Sequence, residues 1–403
     1  MQDILLNKPY EFVPPKTGDF WCRVFDFLLP TYLRKTFGIQ KVECRGVEHL
    51  RDSLKAGRGV LLTPNHCRPS DPMLLGMLAR DAQCHLFIMA SAHLFYQGRF
   101  QRWLLPNLGA FSIYREGLDR AALDMAMQIL QEGRRPLVLF PEGVVSRAND
   151  RLGSLMDGIS TIVRGAAKRR LAANQQSGIA VHPVAIRYFY HGNVADAVAP
   201  VLTEIEQRLT WLKTDHLTLK ERLEKIGRAL LCLKEVELFD APQQGSIPER
   251  IERLVDASLA PLEVEWLKGK QTGGVVARVK KLRAAILPDV IKGELDEKER
   301  ERRWRQLTLL YYTQAISFYP PDYVTDDSPP EHILETVERF EEDLTDVARV
   351  YSPMSAVIEV APPLVVGTSP DEPKKGTDIM PYVDTHLRRM MEELKDRRPN
   401  ISA

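Results

Sequence analysis

The stretch "GRGVLLTPNHCRPSDPMLLGMLARD" (residues 57–81) decides how the chain folds. Its opening, "GRGVLLTPN", is an unbroken apolar run too short for a helix, which predicts a strand buried on both faces. Its close, "DPMLLGMLARD", carries leucines and methionines at helical spacing behind a Ser-Asp-Pro start, which predicts a helix. A strand, a short loop and a helix in succession make the unit from which parallel sheets are built. In the loop, His66 stands five positions before Asp71.

The same alternation runs outward from this stretch over residues 39–195. "KVECRGV", "RPLVLFPEG" and "GIAVHPVAIRYFY" read as strands, and "AALDMAMQILQEG" as a helix closed by Gly133. The expected fold class is α/β, a mostly parallel sheet flanked by helices, with reactive groups in the loops that follow the strands. Beyond it, residues 196–352 carry helical periodicity almost without interruption and read as a large helical insertion. Glu204 and Arg208, Glu221 and Lys225, and Glu224 and Arg228 sit four apart there, as on exposed helix faces. The β-like "SAVIEVAPPLVVG", within residues 353–368, predicts a strand returning to the first sheet, and residues 369–403 a charged helical tail. No internal repeat is evident.

Composition narrows the function. Hydrophobic residues make up 44% of the 403 and charged ones 27%, which suits a globular protein. A formal net charge of +1 argues against nucleic acid as a partner. Cys22, Cys44, Cys67, Cys84 and Cys232 are odd in number and lack CxxC spacing, as expected of reduced thiols in the cytoplasm. No run of about 20 apolar residues predicts a membrane span. Residues 1–38 instead include "DFWCRVFDFLLPTYLRKTF", aromatic and leucine-rich with Arg23, Arg34 and Lys35 among the rings. Pro30 predicts a break into two short amphipathic pieces, suited either to a membrane interface or to the domain's own core. The segment "RVKKLRAAIL" (278–287) offers basic contact to lipid headgroups or an acidic carrier protein, or simply a solvated helix face.

The His66–Asp71 pair has two readings. In one, Ser70 or Asp71 merely caps the following helix. In the other, Asp71 accepts the Nδ1 proton of His66 and leaves Nε2 free to take a proton from a hydroxyl. The sequence lacks a GxSxG elbow, a phosphate-binding glycine loop, GxGxxG and HExxH, which disfavours hydrolase, nucleotide-dependent, dehydrogenase and zinc-protease chemistry together.

Three further stretches join the first: "GAFSIYREG" (109–117), "LFPEGVVSR" (139–147) and "VHPVAIRY" (181–188). In order and spacing, the four resemble the sequence blocks of the glycerophospholipid acyltransferase family. The resemblance covers roughly residues 40–190. It implies transfer of a fatty acyl group from acyl-CoA or acyl carrier protein to a hydroxyl of glycerol-3-phosphate, 1-acylglycerol-3-phosphate or a similar acceptor, with no cofactor and no metal. By that resemblance His66 is the general base and Asp71 its partner in an HX4D motif. Arg115 binds the acceptor phosphate, Glu142 and Gly143 shape the acceptor site, and Pro183 lines the acyl channel or is simply an edge-strand proline.

The chain departs from the family in two places. Gly143 is followed by Val144, Val145 and Ser146 where the third block usually reads Gly-Thr-Arg-Ser, so Val145 takes the arginine position and Arg147 lies two residues further on. Arg68 stands where the first block commonly has serine or glycine. Arg68, Ser146 and Arg147 are therefore further candidate acceptor ligands. The resemblance also implies a membrane surface as partner and a cytoplasmic, peripheral location. Two alternatives remain: the same chemistry on a non-phosphate acceptor, and a non-catalytic lipid-binding scaffold.

Overall fold

The computed structural model describes residues 9–320, 322–367 and 379–401. The first eight residues of the N-terminal segment, and residues 369–378, 402 and 403 of the expected tail, lie outside the described residues.

Two compact units result. One, of mixed α/β structure, comprises Glu11–Tyr114, Asp119–Gly192 and the chain from Val350 onward; the other comprises Asn193–Arg349 with the short segment Arg115–Leu118 and, of the described residues, Pro9 and Tyr10. In chain order the α/β unit contains α1 (Phe20–Phe37), β1 (Ile39–Arg45), α2 (Val47–Lys55), β2 (Gly59–Pro64), α3 (Asp71–Ala82), β3 (Phe87–Ser91), α4 (Arg99–Asn107), β4 (Ala110–Ile113), α5 (Arg120–Glu132), β5 (Leu137–Val138), α6 (Gly158–Ala172) and β6 (Ile179–Tyr190). The helical unit follows with α7 (Val194–Leu209), α8 (Leu219–Phe239), α9 (Ile247–Leu267), α10 (Val275–Lys292), α11 (Glu297–Ile316) and α12 (Pro330–Thr345). The chain then adds β7 (Met354–Val360), β8 (Leu364–Val366) and α13 (Ile379–Glu393) to the α/β unit.

The strand order is β1-β7-β6-β2-β5-β3-β4, with β8 also paired to β6. Pairing is parallel except where β6 meets β7 and β8, so the fold is α/β with a mostly parallel sheet. All six residues of β2 and all twelve of β6 are buried, the consequence of helices on both faces. "RPLVLFPEG" forms only a two-residue strand before bending into a turn. Pro183 is not on an edge: it lies in β6 between β2 and the gap separating β7 from β8, and its carbonyl accepts from the Ala361 N–H at 2.9 Å. A strand residue without an N–H is tolerated where the neighbouring strand is interrupted.

Two local expectations change. Pro30 does not break α1, which runs unbroken over 18 residues. Buried Leu29 and Leu33, together with Cys22, hold the helix on either side of it, while Pro30 itself faces solvent; packing offsets the one lost hydrogen bond. The charged sequence after residue 378 is a core helix, because Ile379, Met380, Val383, Leu387, Met390 and Met391 of α13 all bury their side chains in the main apolar cluster.

The helical unit contains a repeat that the sequence reading missed. "LKERLEKI" (219–226), "IPERIERL" (247–254) and "VVARVKKL" (275–282) recur every 28 residues, each opening a helix. Their arginines Arg222, Arg250 and Arg278 are buried and make paired bonds to Glu206, Glu235 and Glu263 near the end of the preceding helix, with Nε–Oε1 distances of 2.9, 2.8 and 2.7 Å. Eight residues after each glutamate, the Thr214 hydroxyl or the Gln243 or Gln271 backbone N–H donates to the same carboxylate. Nearest-neighbour stacking of this kind defines solenoid architecture. Of the spaced pairs, Glu224 and Arg228 approach to 3.9 Å, whereas Glu221 closes a capping box with Thr218 and Glu204 pairs with Arg349. The segment 278–287 is amphipathic: Lys280 and Lys281 face solvent, while Val279, Leu282, Ile286 and Leu287 are core residues of α10.

Candidate active site

The site forms where β2 ends. The backbone ladder to β6 reaches the Asn65 N–H, which donates to Val184 O at 3.3 Å, and two asparagine side chains continue it. The Asn65 amide donates to Ile186 O (3.0 Å) and accepts from Ile186 N–H (2.7 Å). Asn149 repeats this two residues on, bonding both the carbonyl and the N–H of Tyr188 at 2.7 Å. An amide carries one donor and one acceptor in the geometry of a peptide group, so each asparagine acts as a one-residue strand. They pin the loop after β2 and the loop after the Pro-Glu-Gly turn to the same edge of β6.

His66 and Asp71 meet across the loop, with Nδ1 and Oδ2 2.8 Å apart. Asp71 is fully buried as the first residue of α3, where the helix N-terminus favours a negative charge. Its Oδ2 also accepts the Arg68 backbone N–H at 2.9 Å. Its Oδ1 accepts the Tyr188 hydroxyl at 2.6 Å and faces the Cys67 thiol at 3.8 Å. A carboxylate so surrounded by donors is fixed in orientation. The capping alternative fails: Ser70 holds the N-cap position without a side-chain cap bond, and its hydroxyl pairs with that of Tyr188 at 2.7 Å. Burial and the Asp71 charge hold the Tyr188 hydroxyl well above its ordinary pKa, so it stays a donor.

The His66 ring lies stacked on Phe140, with centroids 4.0 Å apart. With Nδ1 directed at the carboxylate, Nε2 has no partner among the described residues, and 12% of the side chain is exposed. The imidazole is thus oriented and open at one nitrogen, as a proton acceptor must be.

Glu142 takes up a different position from the one the sequence suggested. One carboxylate oxygen accepts the His66 backbone N–H at 2.8 Å and the other the Gly153 N–H at 2.9 Å. It therefore clamps the two loops together. Burial pushes its carboxyl up to about 7 against the pull of those two N–H groups. Two glycines make the clamp possible. Gly143 turns with φ +70°, and a Cβ there would meet Met156 Cε at 2.3 Å. A Cβ on Gly153 would come within 2.9 Å of Glu142 Oε2. Ser146 is buried and donates its N–H to the His66 carbonyl at 2.7 Å. Arg147 has left-handed backbone at φ 52°. Arg68 is buried with its guanidinium 5.3 Å from the Tyr188 ring centre.

The structure thus brings together His66, Asp71, Glu142, Gly143, Ser146 and Arg68. Pro183 is one of the buried positions of β6. Arg115 belongs to the helical unit, where the carboxylate of Glu116 is the opposite charge acting on it. Sequence reasoning missed Tyr188, Gly153, Asn65 and Asn149. Polar residues inside or flanking a fully buried strand are the signal that was present, in "PNH" and "RYFY", but their partners are far away in sequence.

A family model described as Acyltransferase matches residues 41–187. These residues hold the His66–Asp71 pair, the Glu142 clamp and most of the sheet, and they form an acyltransferase domain. Over these residues the chain is similar to the glycerophospholipid acyltransferase family, and the chain is an acyltransferase. A search of curated proteins finds no match to the chain.

Proposed function

We propose that the protein transfers a fatty acyl group from a thioester, acyl-CoA or acyl carrier protein, to a hydroxyl of a glycerophosphate-type acceptor. The observation that carries this reading is the buried, donor-saturated Asp71 holding His66 Nδ1 at 2.8 Å while Nε2 stays open. His66 Nε2 takes the hydroxyl proton as the oxygen attacks the thioester carbonyl. Asp71 stabilises the imidazolium that forms. The tetrahedral intermediate collapses, the carbon–sulfur bond breaks, and the departing thiolate is protonated by the imidazolium. General-base catalysis contributes about 10²–10⁴-fold; alignment of the two substrates supplies a further share. Arg115 is assigned to the acceptor phosphate, a role suited to a guanidinium fork.

A peripheral membrane location is part of the proposal. No described helix is long and apolar enough to cross a membrane. However, α1 and α4 expose Phe20, Trp21, Phe27, Leu28, Phe100 and Trp103, with Phe27 at 84%, and Trp21 and Trp103 stack edge-on at 4.8 Å. Aromatic rings beside Arg23, Arg99 and Arg102 suit the headgroup layer of a bilayer.

The test is to supply purified protein with acyl-CoA and acyl carrier protein donors against phosphorylated and non-phosphorylated glycerol acceptors, and to identify products by mass. An acylated phosphate-bearing product is expected. Acylation only of non-phosphate acceptors would overturn the acceptor assignment, and no transfer to any acceptor would overturn the proposal.

A further inference from the structure

Arg283 is a buried arginine of the helical unit that stands outside its repeating pattern. Arg222, Arg250 and Arg278 each have a carboxylate partner. Arg283, one and a half turns beyond Arg278 on α10, is 8% exposed, yet its Nε and Nη2 are buried without a hydrogen-bond partner among the described residues. A guanidinium cannot shed its charge to escape this situation, and native proteins seldom leave such a group unsatisfied.

The charged groups acting on Arg283 come from the short segment Arg115–Leu118, which belongs to the same unit. Glu116 attracts it and Arg115 repels it, and the Tyr311 hydroxyl of α11 is a further neighbour. Glu116 is buried and feels both arginines, but forms no ion pair with either among the described residues. Burial raises the Glu116 carboxyl pKa and lowers that of the Arg115 guanidinium, the response of charges taken out of water, and their mutual attraction opposes both shifts. Two guanidiniums therefore share one carboxylate, leaving positive charge and several unused N–H donors in a sheltered place.

We propose that Arg283 joins Arg115 in a binding site for a phosphate monoester, the group that the proposed acceptor carries. A phosphate monoester carries about −1.5 to −2 charge and three acceptor oxygens. That matches two guanidinium forks better than a single carboxylate does. The inference rests on the acyl-transfer reading for its biological meaning, but phosphate binding can be measured without it.

The experiment uses the full chain and two readouts. Thermal unfolding is followed in inorganic phosphate, in soluble glycerol-3-phosphate, and with vesicles containing a phosphate-monoester lipid, against chloride at matched ionic strength. Steady-state kinetics is measured with phosphorylated acceptors. Wild type is expected to gain stability from phosphate. Arg283→Gln should lose most of that gain and raise the KM for a phosphorylated acceptor about 10–100-fold with kcat little changed. Arg305→Gln, at an exposed arginine on α11, should do neither. The arm giving the largest shift identifies the source of the phosphate as soluble or membrane-borne. Equal stabilisation of wild type and Arg283→Gln by all three would overturn the site. If Arg283→Gln fails to fold, the wild type alone decides, because no phosphate-specific shift over chloride refutes the proposal. A phosphate shift that depends on Arg283, in a protein that acylates nothing, would sink the acyl-transfer reading and leave this site standing.

Discussion

Tyr188→Phe isolates the support of the dyad from the dyad itself. It removes one oxygen atom and leaves the fully buried ring in place, so no cavity forms. That oxygen donates to Asp71 Oδ1 at 2.6 Å and pairs with Ser70 Oγ at 2.7 Å. A hydrogen bond to a buried carboxylate is worth about 1.5–3 kcal/mol and a neutral one about 0.5–1.5 kcal/mol. The variant should lose about 2–4 kcal/mol in urea unfolding. Asp71 keeps His66 Nδ1 and the Arg68 N–H, so turnover should fall only about 10-fold, well short of the ~10²–10⁴-fold expected for loss of the base. The acceptor KM should not move, since Tyr188 is assigned no contact with substrate. Unfolding and steady-state kinetics on the same preparation check both numbers. A stability change under about 0.5 kcal/mol would refute the bond to Asp71, and full stability loss with unchanged turnover would refute its part in orienting His66.

Other predictions concern the clamp, the repeat and the surface. Because the folded-state pKa of Glu142 near 7 lies above the unfolded value of about 4.3, its contribution is most favourable below pH ~4 and falls by roughly 3–4 kcal/mol as pH rises through 7. Glu142→Gln should flatten that slope in urea midpoints measured from pH 5 to 8, and a slope identical to wild type would contradict the assignment. Glu235→Ala leaves Arg250 buried without its partner and should cost about 3–5 kcal/mol; a loss no larger than that of exposed Glu237→Ala would show that the repeat's ion pairs carry no such weight. Serine at Trp21, Phe27 and Trp103 together should lower vesicle co-sedimentation at least ~10-fold, and undiminished binding would move the membrane contact elsewhere.

What could be read from the sequence was whatever depends on near neighbours. The β2–loop–α3 unit, the fully buried β6 and the return of "SAVIEV" as a strand each follow from a period or a run. Pro30 misled because a proline's local cost is visible in sequence, whereas the packing of Leu29 and Leu33 that offsets it is not. The 28-residue repeat escaped because its signal is one arginine and one glutamate per helix, joined by geometry across a turn. Glu142 was found but misplaced: its motif marks it as part of the site, and only the fold shows both its oxygens spent on the backbone of His66 and Gly153. Asn65, Asn149 and Tyr188 were illegible for the same reason, since each acts on a segment 39 to 121 residues away.

The most direct test of the central claim is the single-turnover rate of acyl transfer in His66→Ala, with folding verified by circular dichroism and acceptor binding measured separately. The account predicts that the acceptor still binds while transfer falls about 10²–10⁴-fold. Transfer at the wild-type rate by a folded His66→Ala protein would contradict it, and would return His66 to being a loop residue ahead of a helix.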